Sequence, residues 1–283
     1  MSVATRPYDE SSTPIDSLCS ESLLVTRGSH GVVTLTLNRP ELHNALNPGL
    51  IQSLSDALTQ LSALKNWEDL RVLLIRGAGK NFCAGADLNY MQLIAQQNEA
   101  QNAQDARRLG QLFYKLATVP VPVVSVVQGA AMGGGFGLVC ASDFAVVGAK
   151  SKFSFSEVLL GIVPGVISPY VVRKFGATLA TRLMLSAEMV SGSQLAQWNV
   201  ATSVFEENQD LEEKTRALVH QLLQGGPNSQ RRTKELIRKS APLPDTSTFE
   251  FTIQSIAQAR SSHEGQAGLQ SFLTKQAAPW KPI

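Results

Sequence analysis

The residues best suited to chemistry lie between positions 129 and 157. Gly133, Gly134 and Gly135 stand between an apolar segment and an apolar helix start, where backbone N–H groups can approach a ligand oxygen without a side chain in the way. Glu157 lies in a further apolar segment, and such surroundings favour a raised carboxyl pKa, suited to proton transfer near neutral pH. An N–H pocket for an oxyanion and one nearby carboxylate are the minimum needed to form and protonate an enolate.

A second turn, over residues 81–88, has the same character. It follows an apolar run, and the peptide between Gly85 and Ala86 can face a ligand because both residues are small. Asp87 is predicted to cap a helix that begins near Leu88. Taken alone, this pattern fits an ordinary strand-to-helix turn equally well. The triple glycine alone also fits tight helix packing, and the lone glutamate fits a helix cap or an ion pair.

Composition narrows the possible partners. The chain has 283 residues, 43% of them hydrophobic, and its formal net charge of +2 is too small to indicate a nucleic acid or an anionic membrane as partner. No apolar run reaches the ~18 residues that a transmembrane helix needs. The three cysteines and four histidines are scattered, so we predict reduced thiols, a cytoplasmic protein and no metal site.

The elements that must position these groups alternate between strand and helix in the first two thirds of the chain. Asn47 and Pro48 have the residue types of a helix N-cap and first helical position. The repeated order of strand, loop and helix indicates an α/β fold with buried strands. The predicted segments are a hairpin at 23–27 and 32–38, strands at 71–76, 123–127 and 144–147, and an amphipathic helix through 103–116.

The last third is predicted to be helical. Four helices are expected, at residues 178–186, 210–224, 228–240 and 249–260, and Asp210 with Glu213 is predicted to form a capping box. Phe249, Phe251, Ile253 and Ile256 need a surface to bury, and a neighbouring subunit is one candidate for it.

Three parts of the chain follow from this pattern. Residues 1–20 are rich in Ser, Thr, Pro and acidic residues and are predicted to be a disordered leader. Residues 21–205 would form the core, and residues 206–283 would form a helical region for oligomerisation.

In this order, the three motifs resemble the crotonase, or enoyl-CoA hydratase/isomerase, superfamily. The resemblance extends over about residues 22–281 and includes the segments 37–46, 160–165, 264–268 and 272–275. It implies a spiral of ββα units with a helical C-terminal trimerisation region, and a trimer or a hexamer built as a dimer of trimers. It also implies acyl-CoA substrates with no metal or redox cofactor, since coenzyme A is part of the substrate.

The resemblance assigns roles to individual positions. The N–H groups of Ala86 and Gly134 would form the oxyanion hole, and Glu157 would be the catalytic carboxylate. Lys275 would approach the CoA phosphates, from a neighbouring subunit. The other residues implied to contact the substrate or its CoA moiety are Asn44, Ala45, Leu46, Ala84, Asp87, Leu88, Asn89 and Gly133.

The sequence departs from the family pattern at two places. Two-carboxylate hydratases have a second glutamate where this chain has Gly137, and residues 166–170 replace the glycine-rich stretch usual in general enoyl-CoA hydratases. Residues 87–91, 129–138 and 156–170 are most similar to bacterial 3-methylglutaconyl-CoA and isohexenylglutaconyl-CoA hydratases, a branch in which glycine at position 137 is compatible with hydration. We therefore favour hydration of a glutaconyl-type enoyl-CoA.

In that interpretation, Glu157 moves the proton at C2, and either Glu157 or the substrate's own distal carboxylate orients the water. Arg107, Arg108 and Arg173 are candidates for pairing with that distal carboxylate, although each also fits an ordinary surface position.

Three other functions remain open from the sequence. The first is an enoyl-CoA isomerase in which one glutamate moves a proton between carbons. The second is a dehydratase or decarboxylase that acts on acyl-carrier-protein thioesters. The third is a non-catalytic protein that binds acyl-CoA or RNA, and the small net charge argues against RNA.

Overall fold

The computed structural model describes residues 12–64, 69–206, 208–241 and 243–280. The strands in these residues are β1 (Thr13–Pro14), β2 (Leu23–Arg27), β3 (Val32–Leu37), β4 (Val72–Gly77), β5 (Val123–Val127), β6 (Ala130–Met132), β7 (Phe144–Gly148), β8 (Lys152–Ser154), β9 (Val190–Ser191) and β10 (Ser203–Phe205). The α-helices are α1 (Pro48–Ser62), α2 (Leu88–Gln96), α3 (Glu99–Thr118), α4 (Gly134–Ala141), α5 (Ser168–Ser186), α6 (Gly192–Gln197), α7 (Asn208–Leu223), α8 (Pro227–Ser240), α9 (Thr246–Ser261) and α10 (His263–Leu273).

The larger sheet has the order β1-β2-β3-β4-β5-β7-β10. The predicted hairpin is present as β2 and β3, and β1 pairs antiparallel with β2. From β3 to β10 every neighbouring pair is parallel, as the alternation of strands and helices requires. The α/β fold class is therefore confirmed.

Helices cover both faces of this sheet, which explains the continuous apolar character of its central strands. In β4, Leu73 and Ile75 belong to the main core, together with α1 and α3. Val72 and Leu74 face the other way, into a smaller core completed by α7. The Asn47 side chain accepts a hydrogen bond from the Leu50 N–H (2.8 Å), so the predicted cap of α1 is confirmed.

The predicted disordered leader extends too far along the chain. Residues 12–20 have defined structure, because Thr13 and Pro14 pair with β2 and the Ile15 N–H donates to the Val25 carbonyl (2.8 Å). Residues 1–11 of the predicted leader lie outside the described residues.

The C-terminal third is helical but differs from the prediction. Helix α5 begins at Ser168 rather than at residue 178, and α10 was not predicted. Helix α7 begins at Asn208, so Asp210 lies inside its first turn and cannot be the N-cap of a capping box. Ile253 and Ile256 are buried within the same chain, whereas Phe251 is 72% exposed. A neighbouring subunit is therefore not needed to cover the two isoleucines. None of the helices in the described residues is long and apolar enough to cross a membrane.

A smaller sheet, β6-β8-β9, lies beside the larger one and carries the site. Phe136 of α4 stacks on Phe155, which follows β8, with ring centroids 4.4 Å apart. This contact fixes the start of α4 against the segment that leads to Glu157.

Candidate active site

Three parallel segments bring Ala86, Gly134 and Glu157 to one edge of the small sheet. Cys83, in the loop before α2, forms a parallel β-bridge with Ala131 of β6. Ala86 lies three residues after Cys83, and Gly134 lies three residues after Ala131. Strand β8 pairs with β6 in parallel, and Glu157 lies three residues beyond Ser154. Since the carboxyl ends of parallel strands meet at the same edge, residues that are distant in sequence converge there.

The N–H groups of Ala86 and Gly134 are left available by this pairing. Leu46 accepts from the Asp87 N–H (2.9 Å) and donates to the Gly85 carbonyl (2.7 Å), so the intervening Ala86 N–H points away from that bridge. Gly134 is the first residue of α4, where a helix N–H has no intrahelical acceptor and the helix dipole favours negative charge. Among the described residues, neither N–H has a backbone acceptor.

Gly133 allows the turn and the close approach of the carboxylate. Its φ of +47° and ψ of −118° lie in a region that side chains disfavour. A Cβ atom at this position would lie 3.0 Å from Glu157 Oε1. The residue therefore has to be glycine for both conformational and steric reasons.

Glu157 opens a short 3₁₀ turn, Glu157–Leu160, that ends at Gly161. The residue as a whole is partly exposed, but Oε2 is buried and has no hydrogen-bond partner among the described residues. Burial raises the pKa of Glu157 from 4.5 to about 7, against smaller lowering effects from its own backbone N–H and from Arg260. The site thus holds a carboxyl group that can exchange a proton near neutral pH.

These groups open onto a cavity of about 400 Å³. Its wall is mainly apolar and is built from α2, α3, α9, α10 and the loop between Gly161 and α5. In the described residues, the charged side chains that line it are Glu157 and Arg260. The cavity can therefore enclose an acyl chain and exclude bulk water from the carboxylate.

The position of the missing second glutamate is filled by apolar side chains. A Cβ atom at Gly137 would lie 2.5 Å from Ile167 Cγ2 and 3.1 Å from Phe113 Cε1. Ile167 belongs to the stretch that replaces the family's glycine-rich segment. The two departures from the family pattern are thus one physical feature, in which an isoleucine occupies the space above a glycine.

The residues expected to contact substrate divide into two groups in the structure. Leu46, Ala84, Ala86, Gly133, Gly134 and Glu157 line the cavity. The cavity wall does not include Asn44, Ala45, Asp87, Leu88, Asn89 or Lys275. A role for this second group in binding the CoA moiety outside the acyl cavity stays a prediction.

Two members of the second group have structural contacts. Asn44 is fully buried, accepts from the Arg39 N–H (2.9 Å) and donates to the carbonyls of Ala78 and Asn81 (both 2.8 Å). Asp87 caps α2, as predicted, and pairs with Arg39 (2.8 Å). Burial raises the pKa of Asp87, but the hydrogen bonds from Arg39 and the helix N–H groups outweigh it and hold the pKa below its usual range.

The arginines expected near a distal carboxylate lie elsewhere. Arg107 pairs with Glu250, Arg108 and Arg173 are exposed, and none of the three lines the cavity. Arg260 lines it instead and was missed by the sequence analysis. A signal was present, because Arg260 follows Ile253 and Ile256 at the spacing of one helix face.

Comparisons with known proteins agree with this geometry. The sequence profile of the family described as Enoyl-CoA hydratase/isomerase matches residues 27–282. A solved enoyl-CoA hydratase structure from Shewanella pealeana is 35% identical, with a TM-score of 0.73, and the match covers 92% of this chain and 96% of that one.

Two named relatives are also similar. The 2,3-dehydroadipyl-CoA hydratase of Escherichia coli is 29% identical over 92% of this chain and 99% of its own length. The mitochondrial methylglutaconyl-CoA hydratase of Mus musculus is 28% identical over 89% of this chain and 80% of its own length. With the profile match spanning nearly the whole described chain, the protein belongs to the enoyl-CoA hydratase/isomerase family, within the crotonase superfamily, and is an enzyme of the enoyl-CoA hydratase type.

Proposed function

We propose that this enzyme adds water to an enoyl-CoA whose acyl chain ends in a second carboxylate, with 3-methylglutaconyl-CoA or a related glutaconyl-CoA as substrate. The observation that carries the chemistry is the buried Oε2 of Glu157, which has no hydrogen-bond partner among the described residues. It lies in a cavity lined also by Ala86 and Gly134, whose N–H groups have no backbone acceptor in that part of the chain. The substrate class is supported by the names of the two relatives, both of which denote dicarboxylic acyl-CoA hydratases.

The proposed mechanism uses one carboxyl group for both proton steps. The thioester oxygen accepts hydrogen bonds from the N–H groups of Ala86 and Gly134 and gains enolate charge as the water oxygen bonds to C3. Protonated Glu157 gives its proton to C2, which collapses the enolate. The carboxylate then takes the surplus proton of the attacking water, so Glu157 returns to its starting form and one water has been added.

The test is mass spectrometry of the products from 3-methylglutaconyl-CoA, crotonyl-CoA and a 3-enoyl-CoA. We expect gain of one water on the glutaconyl substrate, poor turnover of crotonyl-CoA, and loss of turnover by ~10²–10⁴-fold in Glu157→Gln. Loss of carbon dioxide would identify a decarboxylase instead. Efficient hydration of crotonyl-CoA would contradict the expectation that glycine in place of the second glutamate at position 137 makes the enzyme poor on simple enoyl-CoA substrates.

Isomerisation is the second candidate, and a specific observation favours it. Because Ile167 and Phe113 occupy the space of the second acid, the described residues offer one carboxyl group at the site, which suffices to move a proton between carbons. An unchanged product mass with a shifted double bond would support this candidate. Turnover of acyl-carrier-protein thioesters in place of CoA thioesters would support a dehydratase or decarboxylase that acts on carrier-protein substrates. Binding without turnover of any of these thioesters would support a non-catalytic binder.

We also propose the finer features that the resemblance implies. Asn44 to Leu46 and Ala84 to Asn89 would border the path of the CoA moiety, and Lys275 would approach its phosphates. The chains would assemble as trimers or as hexamers built from two trimers. A cytoplasmic location is supported by the three free thiols, of which Cys83 and Cys140 are buried.

A further inference from the structure

We propose that Arg260, held in place by Asp105 and Tyr90, is the subsite for the terminal carboxylate of a dicarboxylic acyl chain. This inference rests on the proposed function, because it names the group that would select that substrate class. It replaces the three arginines that the sequence suggested, all of which lie outside the cavity wall.

The position of the guanidinium group is fixed by Asp105, whose carboxylate is in turn held by Tyr90. Arg260 on α9 is 7% exposed, and its Nη1 donates to Asp105 Oδ2 on α3 (2.9 Å). The Tyr90 hydroxyl on α2 lies 2.6 Å from both oxygens of Asp105 and donates to that carboxylate. Three helices thus supply one polar cluster, with Arg260 and Tyr90 in the cavity wall and Asp105 outside it. Such a preorganised group loses little side-chain entropy when it binds a ligand.

Arg260 retains donors for a ligand. A guanidinium group has five N–H donors, and Asp105 takes one from Nη1. No acceptor for Nε or Nη2 is found in residues 12–64, 69–206, 208–241 and 243–280. The planar fork of arginine matches a carboxylate, which can accept two parallel hydrogen bonds from it.

The surroundings make these donors selective. The wall of the cavity is mainly apolar, so a chain that ends in a methyl group would cover the guanidinium and leave its N–H groups without a partner. A terminal carboxylate would satisfy them with a charge-assisted bond in a site with little water. Sites of this kind discriminate strongly against an analogue that lacks the hydrogen-bonding group.

Arg107 provides a matched control. It also joins α3 to α9, through its ion pair with Glu250, but it lies outside the cavity wall. Arg107→Gln therefore removes an ion pair between the same two helices without touching the proposed subsite. The Arg260 pair is buried and the Arg107 pair is not, so the two variants are compared by the ratio of diacid to monoacid affinity and not by stability. A purely structural role for Arg260 predicts that neither variant changes this ratio.

The experiment measures dissociation constants by isothermal titration calorimetry. The ligands are saturated thioesters, which have no double bond to hydrate. Glutaryl-CoA and adipoyl-CoA are compared with pentanoyl-CoA and hexanoyl-CoA, so that each pair has the same number of carbons. We expect the wild-type enzyme to prefer at least one diacid thioester by about tenfold or more. In Arg260→Gln the preference should fall to near one while affinity for the monoacid thioesters stays within about twofold, and Arg107→Gln should retain the wild-type preference.

Three outcomes would overturn the proposal: no diacid preference in the wild-type enzyme, equal weakening of both thioester classes in Arg260→Gln, or the same loss of preference in Arg107→Gln. If Arg260→Gln does not fold, the same titrations are made with Arg260→Lys, which keeps the positive charge but lacks the paired N–H donors of the guanidinium group. It should reduce the preference several-fold, and an unchanged preference would overturn the proposal. Binding is measured here without turnover, so the two proposals can fail separately. If the enzyme prefers diacid thioesters but does not hydrate the unsaturated ones, the proposed function is wrong and the carboxylate subsite is still supported.

Discussion

At the scale of single residues, the protonation state of Glu157 controls the proposed reaction. Burial raises its pKa to about 7, so the protonated form is present at neutral pH and disappears as the pH rises. Hydration neither takes up nor releases a proton overall. The dependence of kcat/KM on pH must therefore be the same in the hydration and dehydration directions.

We predict that kcat/KM is constant at low pH and falls about tenfold per pH unit above about pH 7, because protonated Glu157 is the active form. The measurement is kcat/KM in both directions over about pH 5.5 to 9. A rise through the same region would contradict this assignment, since it would make the ionised carboxylate the base that activates water.

Gly137 gives a second prediction at this scale. Gly137→Glu should not create a two-carboxylate hydratase, because the new side chain would meet Ile167 and bury a carboxyl group among apolar side chains. We expect a lower Tm, by ~2–4 °C for each kcal/mol lost, and no gain in hydration of crotonyl-CoA. Thermal unfolding and a crotonyl-CoA assay would check this.

The double variant Gly137→Glu/Ile167→Gly is the informative comparison, with Ile167→Gly alone as control. The double variant should have a higher Tm than Gly137→Glu alone. It should also hydrate crotonyl-CoA faster than Ile167→Gly alone. A single Gly137→Glu variant with wild-type Tm would show that the space above Gly137 is not closed.

The sequence predicted part of this site and not the rest, for identifiable reasons. Gly134 and Glu157 stood out because their residue types carry chemistry in an apolar setting. Ile167 did not, since an isoleucine has no chemical signature and its effect depends on which glycine it covers. Arg260 lay on a detectable helix face, but its partner Asp105 is far away in sequence, and such pairings need the fold.

At the scale of elements, the long strands and most long helices were predictable from the sequence, whereas the short strands, the first half of α5 and helix α10 were not. Strands β4 and β5 were evident from continuous apolar runs, whereas β6 and β8 have three residues each and show no periodicity. These short strands nevertheless set the register of Gly134 and Glu157. The elements that position the catalytic groups are therefore the ones that the sequence pattern shows least.

Helix α8 gives the prediction at this scale. Lys234 is buried, and its Nζ donates to the Val121 carbonyl (2.9 Å) and to Asp143 Oδ2 (2.5 Å). Lys234→Met should destabilise the protein by about 2–3 kcal/mol, because it leaves the Val121 carbonyl without this donor and the Asp143 carboxylate without its counterion. Denaturant unfolding measures the loss.

Lys239→Met is the matched control on the same helix. Lys239 makes an exposed pair with Glu235, which contributes about 0.5 kcal/mol or less. Equal destabilisation by the two substitutions would show that the bonds of buried Lys234 to Asp143 and Val121 do not anchor α8.

At the scale of the whole molecule, the C-terminal helices present large apolar side chains to solvent. Phe251 is 72% exposed, and Leu236 and Ile237 of α8 are more than half exposed. Large apolar side chains left exposed on a helix can bury against a partner chain. They support the proposal that chains assemble through residues 206–283.

We predict that the protein sediments as a trimer or a hexamer of its 30.5 kDa chain, and that Phe251→Glu shifts it toward smaller species, because a buried unpaired charge opposes association. Sedimentation equilibrium measures both masses. Gln60→Glu, on the exposed face of α1, adds the same charge at another place and should leave the mass unchanged. A wild-type monomer at micromolar concentration would contradict the prediction.

The contact between Ile167 and the space above Gly137 also constrains how such an enzyme can change over generations. A substitution that introduces a glutamate at position 137 would meet this closed wall and lower stability before it offered any new activity. Shrinking Ile167 first opens the wall and makes the same glutamate tolerable. The order of substitutions therefore matters, because Ile167 has to become smaller before the site can accommodate a second acid at position 137.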